Sequence, residues 1–381
     1  MSDYRSHCRN PKSWHGQHWP AGCCCCRHAI WHCWHNKLNA GGDALDEIWL
    51  HLNLLCLWAI ASNRLVAILV VLSKAMWGME MNSVGFIGLG NVGGKLAGSL
   101  LRNKCDVMVR DLDRNVAAPF LEAGAKWADS PKAMAESCDI IITCLPSPAA
   151  CAAVMEADDG VLAGLSAGKI WAEMSTTDAA EVARLGALVE AKGASPVDCP
   201  VSGGCHRAAT GNIAIFAGCD RPVFERLLPV LTILGRRVLH TGPLGTASVL
   251  KVMTNYLATA NLITLCEALV TSKMAGMDLN TTYEAIRISS GNSFVHETES
   301  QVILNGSRDI NFTMDLVLKD IGLFQSIAEQ HNVPLEVSPL LIRIFEDGQA
   351  RFGPREWSPN IIKRLEEACN TKILAAGFRQ K

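Results

Sequence analysis

From residue 83 onward, short apolar runs alternate with stretches whose apolar positions recur every three to four residues. The run at residues 84–87 leads into Gly88-Leu89-Gly90-Asn91-Val92-Gly93, after which Val92, Leu96, Leu100 and Leu101 fall on one helical face. A second run at residues 106–109 ends in Arg110-Asp111. Ile140-Ile141-Ile142-Thr143-Cys144 and Ile170-Trp171-Ala172-Glu173-Met174 read as buried strands, and residues 179–192 as a helix. Strands alternating with helices of this size predict βαβ units, hence a doubly wound parallel sheet with helices on both faces. The rhythm changes after Gly242. Residues 246–275 contain almost no helix breaker, and further helical stretches follow near 281–287, 314–331 and 339–347. The pattern predicts an α/β domain over residues 82–244, then an all-α domain over residues 245–370 joined to it by the long helix, then a tail at 371–381.

Composition sets the first 81 residues apart. Seven of the sixteen cysteines and seven of the ten tryptophans lie before residue 80. Cys23, Cys24, Cys25 and Cys26 stand in a row, followed by His28, His32, Cys33 and His35. Structural zinc sites separate paired ligands so that the chain can turn about the metal; four adjacent cysteines do not, and no metal is expected. The expectation for residues 1–81 is an atypical extension, disordered or foreign to the enzyme, with Met79 and Met81 where a start would lie. Residues 54–72 are apolar, but Asn63 and Arg64 fall in their middle, and a central arginine costs about 2.5–3.5 kcal/mol on insertion into a bilayer. A membrane span is therefore disfavoured. Asp43, Asp46 and Glu47 speak against a mitochondrial presequence. The remaining cysteines are scattered among apolar residues, which fits a reducing compartment. The expected location is cytoplasmic, with mitochondrial or membrane attachment through residues 1–81 as the alternatives. A formal charge of −2 offers nothing for nucleic acid to bind.

Gly88, Gly90 and Gly93 form a G-x-G-x-x-G between a predicted strand and a predicted helix, the context in which it binds a dinucleotide and marks a Rossmann-type domain. The first glycine permits the tight turn, the second lets backbone approach a pyrophosphate, and the third lets helix and strand pack. Asp111 ends the second strand, where a carboxylate accepts from ribose hydroxyls and repels a 2′-phosphate. This favours NAD over NADP, although Arg110 and Arg114 nearby are of the type that holds such a phosphate. In Asp198-Cys199-Pro200-Val201-Ser202-Gly203-Gly204, Ser202 offers a hydroxyl and the glycines two unobstructed amides, a receptor for a carboxylate; from the residues alone, a flexible turn is the simpler reading. Lys251 and Asn255 lie four apart on the long helix and share a face. Burial would lower that lysine toward neutrality, as proton transfer requires; a surface lysine beside a polar asparagine explains the spacing equally well.

Taken in order, these motifs resemble the β-hydroxyacid dehydrogenase family, which includes 3-hydroxyisobutyrate dehydrogenase and tartronate semialdehyde reductase. The resemblance covers residues 83–350 and includes the Gly88-Leu89-Gly90 loop, Leu145-Pro146, Met174-Ser175-Thr176, the Asp198-to-Gly204 block, Lys251 with Asn255, and Lys319-Asp320. It implies that Lys251 is the catalytic lysine and that Asn255 positions substrate beside it. It implies that Ser202, Gly203 and Gly204 receive the substrate carboxylate. It also implies that Leu89, Asn91, Val92, Leu145, Pro146, Thr176 and Lys319 contact the cofactor. Cys199 stands where the family often has alanine, Ala247 where a glycine is common, and Asn91-Val92-Gly93 replaces a frequent methionine.

The implied reaction is hydride transfer between NAD(H) and a small β-hydroxy acid or semialdehyde such as 3-hydroxyisobutyrate. The alternatives are an NADP-dependent semialdehyde reductase acting on tartronate or succinic semialdehyde or sulfolactaldehyde, and an inactive cofactor-binding relative. Lysine before His-Asn would mark a 6-phosphogluconate dehydrogenase, but Thr254 precedes Asn255 here. Imine-reducing relatives generally lack the lysine. The expected partners are a small carboxylate substrate and further copies of the chain, as a homodimer or homotetramer.

Overall fold

The computed structural model describes residues 83–378. The expectations for residues 1–81, and for the last three positions of the tail, lie outside the described residues. Strands β1 (Val84–Ile87), β2 (Val107–Arg110), β3 (Lys126–Trp127), β4 (Ile140–Thr143), β5 (Ile170–Glu173) and β6 (Ser195–Asp198) run parallel in the order β3-β2-β1-β4-β5-β6. Every residue of β1, β4 and β5 is buried. Helices cover both faces, so these strands carry continuous apolar runs rather than alternation. Ile140 and Ile142 enter the layer that holds Phe86, Leu96 and Leu100, while Ile141 enters the opposite layer with Met134 and Trp171. The longer flanking helices are α1 (Gly93–Arg102), α2 (Pro148–Glu156), α3 (Ala179–Ala191) and α4 (Arg221–Leu234).

The sheet continues past β6 with β7 (Val201–Ser202), β8 (Ile213–Gly218) and β9 (Gly235–Gly242). Here the structure differs from a purely parallel expectation: β8 runs antiparallel to β6 and β7 and parallel to β9. The apolar pattern hides this extension. β7 has only two residues, and β9 carries exposed Arg236, Arg237 and Leu239.

The second half is helical: α5 (Thr246–Met274), α6 (Leu279–Arg287), α7 (Phe294–Leu304), α8 (Met314–Gln330), α9 (Ser338–Phe352) and the short Lys363–Ala368. By length and composition alone α5 would span a bilayer. Its Leu265 and Leu269 instead enter a core with Ile303, Val317, Ile321 and Phe345, and its Tyr256 stacks on Phe324 with ring centroids 4.0 Å apart. A buried ion pair, Arg308 with Glu366 at 3.0 Å, closes the base of this core. Glu366 also accepts the Ile373 N–H at 2.8 Å, so part of the tail packs inward.

The two halves are joined through a fully buried carboxylate. Asp198, the last residue of β6, accepts the Gly245 N–H at 2.8 Å and the Ser248 N–H at 2.7 Å. It caps α5 from another element, satisfying amides that a helix start leaves open and placing negative charge at the positive end. Burial pushes its carboxyl upward, and the two N–H groups pull it back. Gly218 leaves the room: a Cβ there would stand 2.3 Å from Asp198 Oδ1.

Candidate active site

A cleft of about 1430 Å³ lies between the sheet's C-terminal edge and the helical half. All the candidate catalytic, substrate and cofactor residues line it except Leu89, and Arg110 does too; Arg114, Asp198 and Cys199 do not. Leu89 is buried behind the glycine loop and contributes through its backbone: its N–H donates to Asp111 Oδ2 at 2.7 Å.

The glycine loop fits a dinucleotide. Gly88 has φ +98°, and a Cβ there would meet Cys144 O at 2.3 Å. A Cβ on Gly93 would meet Gly88 O at 2.0 Å, so helix and loop pack without side chains between them. A Cβ on Gly90 would meet nothing within 4 Å, which leaves open the approach that a pyrophosphate needs. No side chain caps α1; the Gly94, Lys95 and Leu96 amides turn back on the Gly90 and Val92 carbonyls, so an anion would approach at the turn before them, at the positive end of the helix. Asn91 and Val92 line the cleft at this turn.

Asp111 ties the loop after β2 to the glycine loop and also accepts the Asp113 N–H at 3.2 Å. Arg110 is engaged elsewhere. Its Nη1 donates to the carbonyls of Ala128 and Asp129 at 2.9 and 2.7 Å, and its guanidinium lies over Trp127. Arg114 lies exposed over the same ring.

A buried network that the sequence did not reveal sets the other wall. Glu173, fully buried at the end of β5, accepts from Thr143 Oγ1 at 2.8 Å, from the Ser175 N–H at 2.6 Å and from the Cys151 thiol. Burial pushes its carboxyl upward, and these donors oppose the shift. Ser175 Oγ in turn accepts the Leu145 N–H at 2.7 Å. Glu173 thus fixes the position of Leu145, Pro146 and Thr176, the stretch the sequence assigned to cofactor contact, without lining the cleft itself. Glu173 read only as one residue of a strand; its partners come from three elements, which no local pattern displays.

Opposite this wall, Ser202 ends β7, and Gly203 and Gly204 follow with φ of +123° and +83°. Only glycine adopts such angles readily, and the absent side chains leave the loop open toward the cleft. Lys251 projects from α5 and is 7% exposed. Burial brings its ammonium down to about 8; the Asp320 carboxylate resists that shift and Lys319 adds to it. Lys251 Nζ donates to Asn255 Oδ1 at 2.7 Å, and Asn255 Nδ2 donates to Asp320 Oδ2 at 2.5 Å. Asp320 Oδ1 pairs with Lys319 Nζ at 2.9 Å, and Lys319 Nζ donates to the Thr176 carbonyl at 2.8 Å. One polar chain therefore runs from Lys251 to the Thr176 loop on the sheet. The Lys319-Asp320 pair was visible in the sequence, but the hold of Asp320 on Asn255 was not. Burial pushes the thiols nearby toward the protonated form, Cys144 up to about 12 and Cys199 well above the ordinary thiol range.

Comparison with known proteins agrees with this geometry. Residues 83–242 match the family described as the NAD binding domain of 6-phosphogluconate dehydrogenase. Residues 245–365 match the NAD-binding domain of NADP-dependent 3-hydroxyisobutyrate dehydrogenase. The chain is 34% identical over 292 residues to 2-(hydroxymethyl)glutarate dehydrogenase of Eubacterium barkeri, covering 76% of this chain and 97% of that protein. It is 30% identical over 295 residues to the mitochondrial 3-hydroxyisobutyrate dehydrogenase of Mus musculus, covering 76% and 88% respectively. Among solved structures, 3-hydroxyisobutyrate dehydrogenase from Salmonella typhimurium superposes with a TM-score of 0.68 at 27% identity, over 74% of this chain and 99% of that one.

Proposed function

Because the chain belongs to the β-hydroxyacid dehydrogenase family and is an NAD(P)-dependent dehydrogenase, we propose that it oxidises the CH2OH group of a small β-hydroxy acid, with Lys251 as general acid and base. The observation that carries this reading is Lys251 itself: a buried lysine brought down to about 8, facing the cleft and bonded to Asn255.

Ser202, Gly203 and Gly204 hold the substrate carboxylate. NAD(P), when bound, supplies the hydride acceptor. Lys251 takes the hydroxyl proton in oxidation and returns it in reduction. Asn255 orients Nζ through the bond it accepts and is itself fixed by Asp320. Lys319 joins this assembly to the Thr176 loop. The compounds named for the two relatives, 3-hydroxyisobutyrate and 2-(hydroxymethyl)glutarate, are both 3-hydroxypropionates differing at C2, and the substrate proposed here is of that class. A panel of 3-hydroxypropionates with varied C2 groups, read by absorbance of the reduced cofactor, tests this. The reading fails if none is turned over.

The preferred cofactor is NAD. Asp111, just past β2 and bonded to the glycine loop, would set its negative charge beside the adenosine ribose, and Arg110 is already bonded to two carbonyls. kcat/KM should be higher with NAD than with NADP, and Asp111→Ala should narrow the gap while loosening the loop that Leu89 anchors. A native preference for NADP would show that Arg114 governs the choice.

The assembly is a homodimer or homotetramer. Leu250 and Leu257, seven residues apart on α5, are 41% and 58% exposed and present an apolar strip for a second copy. Light scattering at micromolar concentration should give a dimer or tetramer mass; a monomer would contradict this.

A further inference from the structure

The short helix Cys205–Ala209 follows directly on the Ser202, Gly203 and Gly204 loop, and its Arg207 bends back over that loop. A Cβ placed on Gly203 would meet Arg207 Cδ at 3.2 Å. The guanidinium carbon lies 4.3 Å from the centroid of Phe294, the first residue of α7. Both side chains line the cleft. Arg207 therefore bridges from the carboxylate loop to the helical half, within the volume a substrate enters.

Its lack of a partner is the informative feature. The other arginines and lysines lining the cleft are engaged: Arg110 with two carbonyls, Lys251 with Asn255, Lys319 with Asp320 and Thr176, and Arg355 with Asp315 at 3.1 Å. Among the described residues no carboxylate or carbonyl accepts from Arg207. Arg207 and Phe294 are both exposed to the cleft, and a ring can take only a face of a guanidinium, which leaves the N–H edges free. A planar cation beside a ring, with unspent donors next to a carboxylate-binding loop, is a receptor for a second carboxylate.

We propose that Arg207 binds a carboxylate carried on the C2 substituent of the substrate, so that the preferred substrate is a dicarboxylate: a 3-hydroxypropionate whose C2 bears a short chain ending in a second carboxylate. This rests on the placement of the first carboxylate at Ser202, Gly203 and Gly204. The chemistry at the CH2OH group is unchanged. The second charge anchors the far end of the molecule and sets which C2 group is accepted. A methyl group at C2 leaves Arg207 unused, and an ammonium is repelled by it.

The test uses the full chain and four compounds: 3-hydroxypropionates whose C2 group is methyl, carboxymethyl, carboxyethyl or the uncharged carbamoylethyl. The native enzyme should favour at least one dicarboxylate over the methyl compound in kcat/KM, and the carbamoylethyl compound should lose that advantage. Arg207→Met should cut the dicarboxylate-to-methyl ratio of kcat/KM by about tenfold or more. The loss should fall in KM, because the distal contact is made in ground and transition states alike. Arg207→Lys, which keeps the charge without the planar fork, should restore part of it. A native preference for the methyl compound, or an Arg207→Met ratio equal to the native one, would overturn the proposal. Turnover of the methyl compound with a KM that Ser202→Ala leaves unmoved would instead overturn the placement of the first carboxylate, and this inference with it.

Discussion

Lys251→Ala is expected to lower kcat by about 10²–10⁴-fold or more, the usual contribution of a positioned proton-transfer group. Cofactor binding should be largely kept, because the glycine loop and Asp111 belong to the other half of the molecule. Lys251→Arg should rescue little, since a guanidinium stays protonated throughout this range. The native pH profile supplies an independent check. Oxidation needs the neutral amine to accept the hydroxyl proton, so kcat should rise with pH through about 8 and then level. Reduction needs the ammonium, so its kcat should hold at lower pH and fall above about 8. Profiles measured in both directions should cross in this way. A near-native kcat for Lys251→Ala on the best substrate would remove the lysine from the mechanism.

Asp198→Ala should destabilise the protein by about 3–5 kcal/mol, read from the denaturant midpoint. The substitution deletes both charge-assisted bonds to α5 and leaves the Gly245 and Ser248 amides buried without their acceptor. Gly218→Ala should act in the same direction from the other side, because its new methyl would meet Asp198 Oδ1. Asp198→Asn keeps one acceptor and turns an NH2 toward the remaining amide, so its cost should fall between those of native and Asp198→Ala. Activity should drop with stability even in the folded fraction, since the same helix carries Lys251. A Asp198→Ala midpoint equal to native would show that the capping bonds contribute nothing net.

Much of this is legible in the sequence. Strands buried on both faces show as unbroken apolar runs, so β1, β4 and β5 stood out, and the glycine spacing marked the loop behind β1. Lys251 and Asn255 were legible as a pair because helical spacing is a local property. What escaped was set by partners distant in the chain. Asp198 read as part of a loop motif, yet its amides lie 47 and 50 residues on. Asp320 reaches Asn255 across 65 residues. Glu173 looked like one more strand position, because its role depends on Thr143, Cys151 and Ser175 converging in three dimensions. Asp111 could be placed in the sequence, but the engagement of Arg110 by Ala128 and Asp129 could not.

The cap on α5 also measures length. Lys251 lies six positions beyond Gly245, which Asp198 pins to β6. A helix turns about 100° and rises about 1.5 Å per residue. One residue inserted or deleted in that interval would swing the amine about a quarter-turn away from the cleft and carry Asn255 off Asp320, although every side chain named here would still be present. Surface turns elsewhere in the fold can absorb a changed length by looping outward. Between Gly245 and Lys251 the chain acts as a ruler fixed at one end, and descendants of this sequence are free to vary its letters far more than its count.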